Sequence, residues 1–230
     1  MPYLFYDYYY IILVIPAMIL AFIAQAKVKS TYNKFSKVGN SRNITGAYAA
    51  QAVLTHYGIR DVRIEQVSGK LTDHYDPKAK VIRLSSGVYS GTSIAAVGVA
   101  CHEAGHAAQH AESYAPIKVR NTLVPVCNVG STLGIPLAII GYFLGFEPLI
   151  TIGLMLYALI AVFHLVTLPV EFNASQRAIK VIDETRLLYD DEISGAKKVL
   201  KAAALTYVAS LVVALANLLR LVLRFNNRRN

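Results

Sequence analysis

Charge is scarce in this chain. Only 16% of its 230 residues are Asp, Glu, Lys or Arg, against 55% hydrophobic, which excludes an ordinary soluble domain and points to a bilayer. Cysteine is scarcer still. Cys101 and Cys127 are the only two, and neither their spacing nor their surroundings support a disulfide, so both read as buried helical thiols. The chain has no internal repeat and no low-complexity segment. Acids are outnumbered, 14 against 23 basic residues, for a net charge of +9. That excess reads as membrane topology and attraction to anionic inner-leaflet lipid, with no nucleic-acid partner expected. Arg60, Arg63 and Lys70 fit a plain solvated basic surface equally well.

The uncharged stretches set the organisation. A span needs roughly 20 mainly apolar residues, and four windows qualify: 8–26, 121–146, 148–170 and 202–219. The fourth is the weakest, being short, holding Asn217 and running into Arg220 and Arg224, so it either spans or lies partly in the interface. Five segments follow: an N-terminal anchor (1–26), a polar region (27–120), a transmembrane hairpin (121–170), a charged helix (171–201) and a C-terminal membrane helix with a basic tail (202–230). Of the 23 Lys and Arg, 13 fall in 27–120 and six in 171–201, while the turn Gly145-Phe146-Glu147-Pro148 has none. Positive-inside logic therefore puts both polar stretches in the cytoplasm and the amino terminus and short turn outside. Arg228 and Arg229 run against it, because four spans export them. Ala24-Gln25-Ala26 resembles a signal-peptidase site, but the preceding "MPYLFYDYYY" lacks Lys and Arg and carries Asp7, so a retained anchor with an interfacial tyrosine belt is expected.

The polar region reads as a small α+β unit. Thr45 caps "GAYAAQAVLTHYG" and Gly58 stops it. "VRIEQV" alternates as a strand, Ser68-Gly69-Lys70 is a turn, and "LTDHY" and "KVIRLSS" are extended pieces around the Asp76-Pro77 turn. Thr92 or Ser93 caps a long helix reaching about Ala111. The fold class expected is an α-helical integral membrane protein with about four spans and a small α+β cytoplasmic domain.

That long helix carries "VACHEAGHAAQHAE". His102, Glu103 and His106 satisfy H-E-x-x-H, and on a helix the four-residue step brings both imidazoles to one face, where a Zn²⁺ ion takes neutral nitrogens. Glu103 sits beside them without being a ligand, placed to act as general base. Ala104, Gly105, Ala107 and Ala108 keep the helix slim for a close neighbour. A catalytic site needs a third protein ligand and an open position. The metzincin extension fails, since Gln109 and Glu112 stand where it requires glycine and histidine. His110 and Glu112 would have to bend back along their own helix, so His110 reads as a surface or supporting polar group. Glu147 is on the outer turn. Glu171, in "LPVEFNASQRA", is the first acid available on the same side, and Pro169 suits the opening turn of a new helix that fixes it. Ala174 and Ala178 keep that helix's face small. Asp183, Glu184, Asp190, Asp191 and Glu192 compete but lie in a charge run that reads as a solvated face.

"LTDHYDPKAKVIRLS", "SIAAVGVACHEAGHAAQHAE" and "LPVEFNASQRAIKVI" together resemble the YugP-like membrane zinc metallopeptidases, a group of bacterial integral membrane proteins, over nearly the whole length. The resemblance implies a zinc-dependent endopeptidase of the glutamate-third-ligand kind, similar in layout to the HtpX-like membrane proteases, with one zinc ion on His102, His106 and Glu171 and Glu103 as base. It departs from the HtpX-like pattern at Ser175, where an Asp is usual.

The expected reaction is hydrolysis of a peptide bond in membrane-associated or misfolded proteins, at the cytoplasmic face of the bacterial plasma membrane, with polypeptide and lipid as partners. His74, Tyr75, His164 and Arg177 are candidate oxyanion or substrate contacts. "KVIRLSS" is the candidate edge strand for extended substrate. The competing class is a zinc-stabilised membrane scaffold without turnover. Glu103 argues against it, because a structural site needs no base and closes its fourth position with Cys or His, and Cys101 lies about 100° off the ligand face. Oligomeric state is not encoded in these patterns.

Overall fold

The computed structural model describes residues 7–226. The start of the tyrosine-rich segment (1–6) and Arg228 and Arg229 lie outside the described residues. A π-helical turn at Tyr10–Val14 leads into α1 (Ile15–Phe35), followed by α2 (Gly46–His56), β1 (Arg63–Val67), β2 (His74–Asp76), β3 (Val81–Ser85), a single turn α3 (Ser86–Tyr89), α4 (Ile94–Ala111), α5 (Ala115–Leu144), α6 (Glu147–Glu184) and α7 (Asp190–Asn226). Two compact units result: Met1–Gln25, Val119–Leu168 and Leu205–Asn230 form one, Ala26–Lys118 and Pro169–Ala204 the other.

Among the described residues, the first unit holds the apolar stretches of four helices long and apolar enough to cross a membrane. Phe22, Phe143, Leu144, Met155 and Leu165 are exposed on it, the surface expected where lipid replaces water. Apolar side chains gain nothing by leaving lipid for each other, so helices in such a unit associate through close backbone packing. Here that packing is made by glycine. A Cβ on Gly153 would lie 2.5 Å from the Gly134 carbonyl oxygen, and one on Gly130 2.5 Å from that of Leu156, so α5 and α6 touch along their backbones. Asp7 receives Arg220 Nε at 2.7 Å and Arg224 at 2.6 Å, while Tyr142 packs on Phe225. Asp7, the end of α5 and the end of α7 therefore lie at one end of this unit.

The second unit is the α+β region. Thr45 Oγ1 accepts from Tyr48 N–H at 3.2 Å to cap α2, which ends at Gly58 with φ +67°. Ser93 Oγ accepts from Ala96 N–H at 3.1 Å to cap α4. The sheet order is β1-β3-β2, with β1 parallel and β2 antiparallel to β3. "KVIRLSS" thus supplies the central strand and has no free edge, correcting its reading as a substrate-pairing edge. Its continuous burial at Val81, Ile82, Leu84 and Ser85 marks an interior strand. Arg83, from the same strand, reaches Asp76 Oδ2 at 2.9 Å and Glu65 Oε2 at 4.0 Å and so ties both edges to the centre. The core beneath combines Val53 and Leu54 of α2, Val97 and Ala104 of α4, and Ile182, Leu188 and Ala196.

Two further expectations change. α6 is one continuous helix with Pro169 inside it, so Glu171 is not in the first turn of a new helix. Proline removes one ladder hydrogen bond, which neighbouring groups in apolar helices compensate, and the residues after it continue the helical pattern. α7 likewise runs unbroken from the acidic cluster Asp190, Asp191 and Glu192, its first turn, to Asn226.

Candidate metal centre

α4 and α6 meet where their side chains are smallest. A Cβ on Gly105 would lie 2.6 Å from the Ala174 carbonyl oxygen, and Ala104, Ala107, Ala108, Ala174 and Ala178 are all buried. Only glycine permits that approach. It brings Glu171, one turn before Ala174 on α6, against the face of α4 that presents His102 and His106.

Glu171 Oε2 lies 3.3 Å from His102 Nε2 and 3.6 Å from His106 Nε2. The three side chains offer one donor atom each within 4.8 Å of one another, and the two imidazoles stand edge to face at 82°. Glu171 Oε2 is fully buried and makes no hydrogen bond. Ligands about 2.0–2.1 Å from a tetrahedral centre sit roughly 3.3 Å from each other. Two imidazoles and a carboxylate at that spacing, with an orphaned buried oxygen among them, therefore fit a zinc ion. Burial works against ionisation of Glu171, but the adjacent His102 and His106 outweigh it and hold the carboxyl well below its usual range. Burial also opposes a charge on His106, yet Glu171, Glu103 and Gln109 prevail and push its pKa up. The pocket is built for positive charge. Glu103, half-buried and next in sequence to His102, adds to that field.

The imidazole nitrogens facing away from this point are also held. His106 Nδ1 lies 3.0 Å from Gln109 Oε1, and His102 Nδ1 lies 3.1 Å from Ser175 Oγ. The Ser175 hydroxyl is thus the group that meets the His102 ring on its far side. Gln109 is completely buried, and its Nε2 donates to the Val170 carbonyl at 2.7 Å and to Asn173 Oδ1 at 3.0 Å. The sequence offered two cues for this pair: Gln109 stands three residues after His106, and Asn173 two after Glu171.

A comparison with protein families decides the class. The model of the family described as "Putative neutral zinc metallopeptidase" matches residues 10–226. The chain belongs to that family. It is 48% identical over 221 residues, 96% of this chain and 98% of the other, to "Putative membrane protease YugP" of Bacillus subtilis (strain 168). No solved structure matches it. The family implies zinc, in keeping with the donor set that the fold assembles.

The remaining sequence candidates fall elsewhere. His74 is exposed on β2, with Nδ1 2.8 Å from the Thr72 carbonyl, and His164 packs beside Phe163 in the apolar unit; neither belongs to the donor cluster. Arg177 pairs with Glu112 at 2.7 Å and donates from Nε to Asn173 Oδ1 at 2.7 Å, with the Tyr57 and Tyr114 rings 5.5 and 6.0 Å away. His110 Nδ1 lies 3.0 Å from the Tyr75 hydroxyl, whose pKa burial, with Asp61 and Asp76, pushes up to about 12. Both cysteines are free and buried, and burial pushes the Cys101 thiol up.

Proposed function

We propose that this chain is a membrane-embedded zinc endopeptidase in which His102, His106 and Glu171 hold the metal and Glu103 is the general base. The observation that carries the reading is the convergence of three donor atoms from two helices on one point, with an unhydrogen-bonded carboxylate oxygen between two imidazoles. Zinc bound there supplies a Lewis acid that polarises the scissile carbonyl and lowers the pKa of the attacking water. Glu103 takes the proton that the water loses and delivers it to the leaving amine. Gln109 Oε1 and Ser175 Oγ hold the ring nitrogens of His106 and His102 that face away from the metal position. Arg177, committed to Glu112 and Asn173, acts as an anchor and not as an oxyanion donor. The scaffold reading gains no support, since the base stands beside the ligands. Membrane-associated or misfolded polypeptides are the substrate class, at the cytoplasmic face.

The test is zinc content and cleavage of an unfolded polypeptide by the purified full-length chain in detergent. Glu103→Gln keeps zinc and loses about 10²–10⁴-fold in turnover; equal cleavage by both proteins ends the assignment. Glu171→Ala binds zinc at least about 100-fold more weakly, while Glu112→Ala does not. Sidedness is checked separately. A cysteine introduced at Lys70 reacts with an impermeant maleimide only after the membrane is opened, and labelling of intact cells reverses the orientation.

A further inference from the structure

Gln109 is the one fully buried polar side chain of α4 that the proposed chemistry leaves unused. Its environment fixes what each of its atoms is. The Val170 carbonyl can only accept, so the atom 2.7 Å from it is the amide nitrogen, and Gln109 Oε1 is the atom turned to His106 Nδ1. Arg177 Nε can only donate, so the Asn173 atom 2.7 Å away is Oδ1, which also receives the second Gln109 N–H. A carbonyl oxygen only accepts, so His106 Nδ1 must carry a hydrogen. The lone pair is then left on Nε2, the nitrogen facing Glu171.

We infer that Gln109 is a positioning residue that locks His106 in the tautomer and ring orientation required of a metal ligand, through a relay that runs from Arg177 and Asn173 to the imidazole. Ser175 offers His102 no such lock, since a hydroxyl donates or accepts as it rotates. The two histidines are therefore supported unequally, with the rigid support on His106. The relay ends at Arg177 between Tyr57 and Tyr114, and its outer partner Glu112 is half-exposed and worth little.

The inference rests on the metal site proposed above and is tested separately from turnover. Zinc affinity of the full-length chain is measured by chelator competition for the wild type, Gln109→Met and Asn173→Ala, with melting of the metal-free proteins as a folding control. Gln109→Met loses about 10–100-fold in affinity, Asn173→Ala less, and the visible absorption of the cobalt-substituted protein changes in both. Histidine ¹⁵N spectra of the zinc-loaded wild type report His106 bound through Nε2 with a hydrogen on Nδ1. Affinity of Gln109→Met within twofold of the wild type, or a wild-type His106 bound through Nδ1, overturns the inference. Should Gln109→Met not fold, Asn173→Ala and the wild-type spectrum decide. A wild type that binds no zinc removes the site itself, and the inference falls with it.

Discussion

The two units of this chain solve the same two problems in different solvents. Each brings a pair of helices into backbone contact through glycine, Gly105 against Ala174 in one and Gly153 against Gly134 in the other. Each pairs an aspartate with arginine, Asp76 with Arg83 and Asp7 with Arg220 and Arg224. In the α+β unit the glycine contact sets a chemical geometry, because Glu171 and Ala174 ride on the same turn of α6. In the apolar unit it sets only an interhelical distance. The ion pairs differ in the opposite sense: water competes for Asp76, whereas an unpaired Asp7 among apolar helices has few alternatives.

Breaking the glycine contacts gives the largest effects. Gly105→Val forces α4 away from Ala174 and lowers zinc affinity by at least about 100-fold, together with a loss of stability of about 1–3 kcal/mol. Gly153→Val costs a similar amount of stability, about 1–3 kcal/mol, but leaves zinc affinity within about twofold of the wild type, well below the cost of disturbing a ligand's support. Chelator competition on both variants decides whether the contrast holds, and equal zinc loss would erase it. Next comes Asp7→Asn, which removes the carboxylate that Arg220 and Arg224 meet and lowers stability by about 2 kcal/mol, read as earlier unfolding in detergent titrations. The smallest effect belongs to Asp76→Asn. The Arg83 guanidinium, with the Ala79 and Lys78 amides, holds the Asp76 carboxyl at about 2, below its ordinary value. A depressed carboxyl contributes stability that is complete above the unfolded-state value and fades as pH falls through about 2. Melting curves of metal-free wild type and Asp76→Asn therefore differ slightly above pH ~4 and converge in stronger acid.

Much of this was legible in the residues. The caps at Thr45 and Ser93, the stop at Gly58 and the apolar windows have local causes, and each appears where its cause lies. The candidate donor set His102, His106 and Glu171 was legible because the helical period sets His102 beside His106, and the expected order of spans makes Glu171 the first acid to return. Continuity through Pro169 was not, because a proline opens helices as often as it sits within long ones. Nor was the central place of β3: strand order depends on contacts between distant residues, and an apolar run serves an edge or an interior alike. The role of Gln109 was hidden for the same reason, since its partners Val170 and Asn173 are more than sixty residues away.

The single unbroken α6 has a consequence for how such chains tolerate length changes. Residues added at the Gly145 turn, outside any helix, leave the spacing of Glu171 and Ala174 along their helix untouched. One residue added between Glu171 and Ala174 turns the carboxylate about 100° from the imidazoles. Insertions are thus accommodated by location and not by number, and what must be inherited intact is a rotational phase.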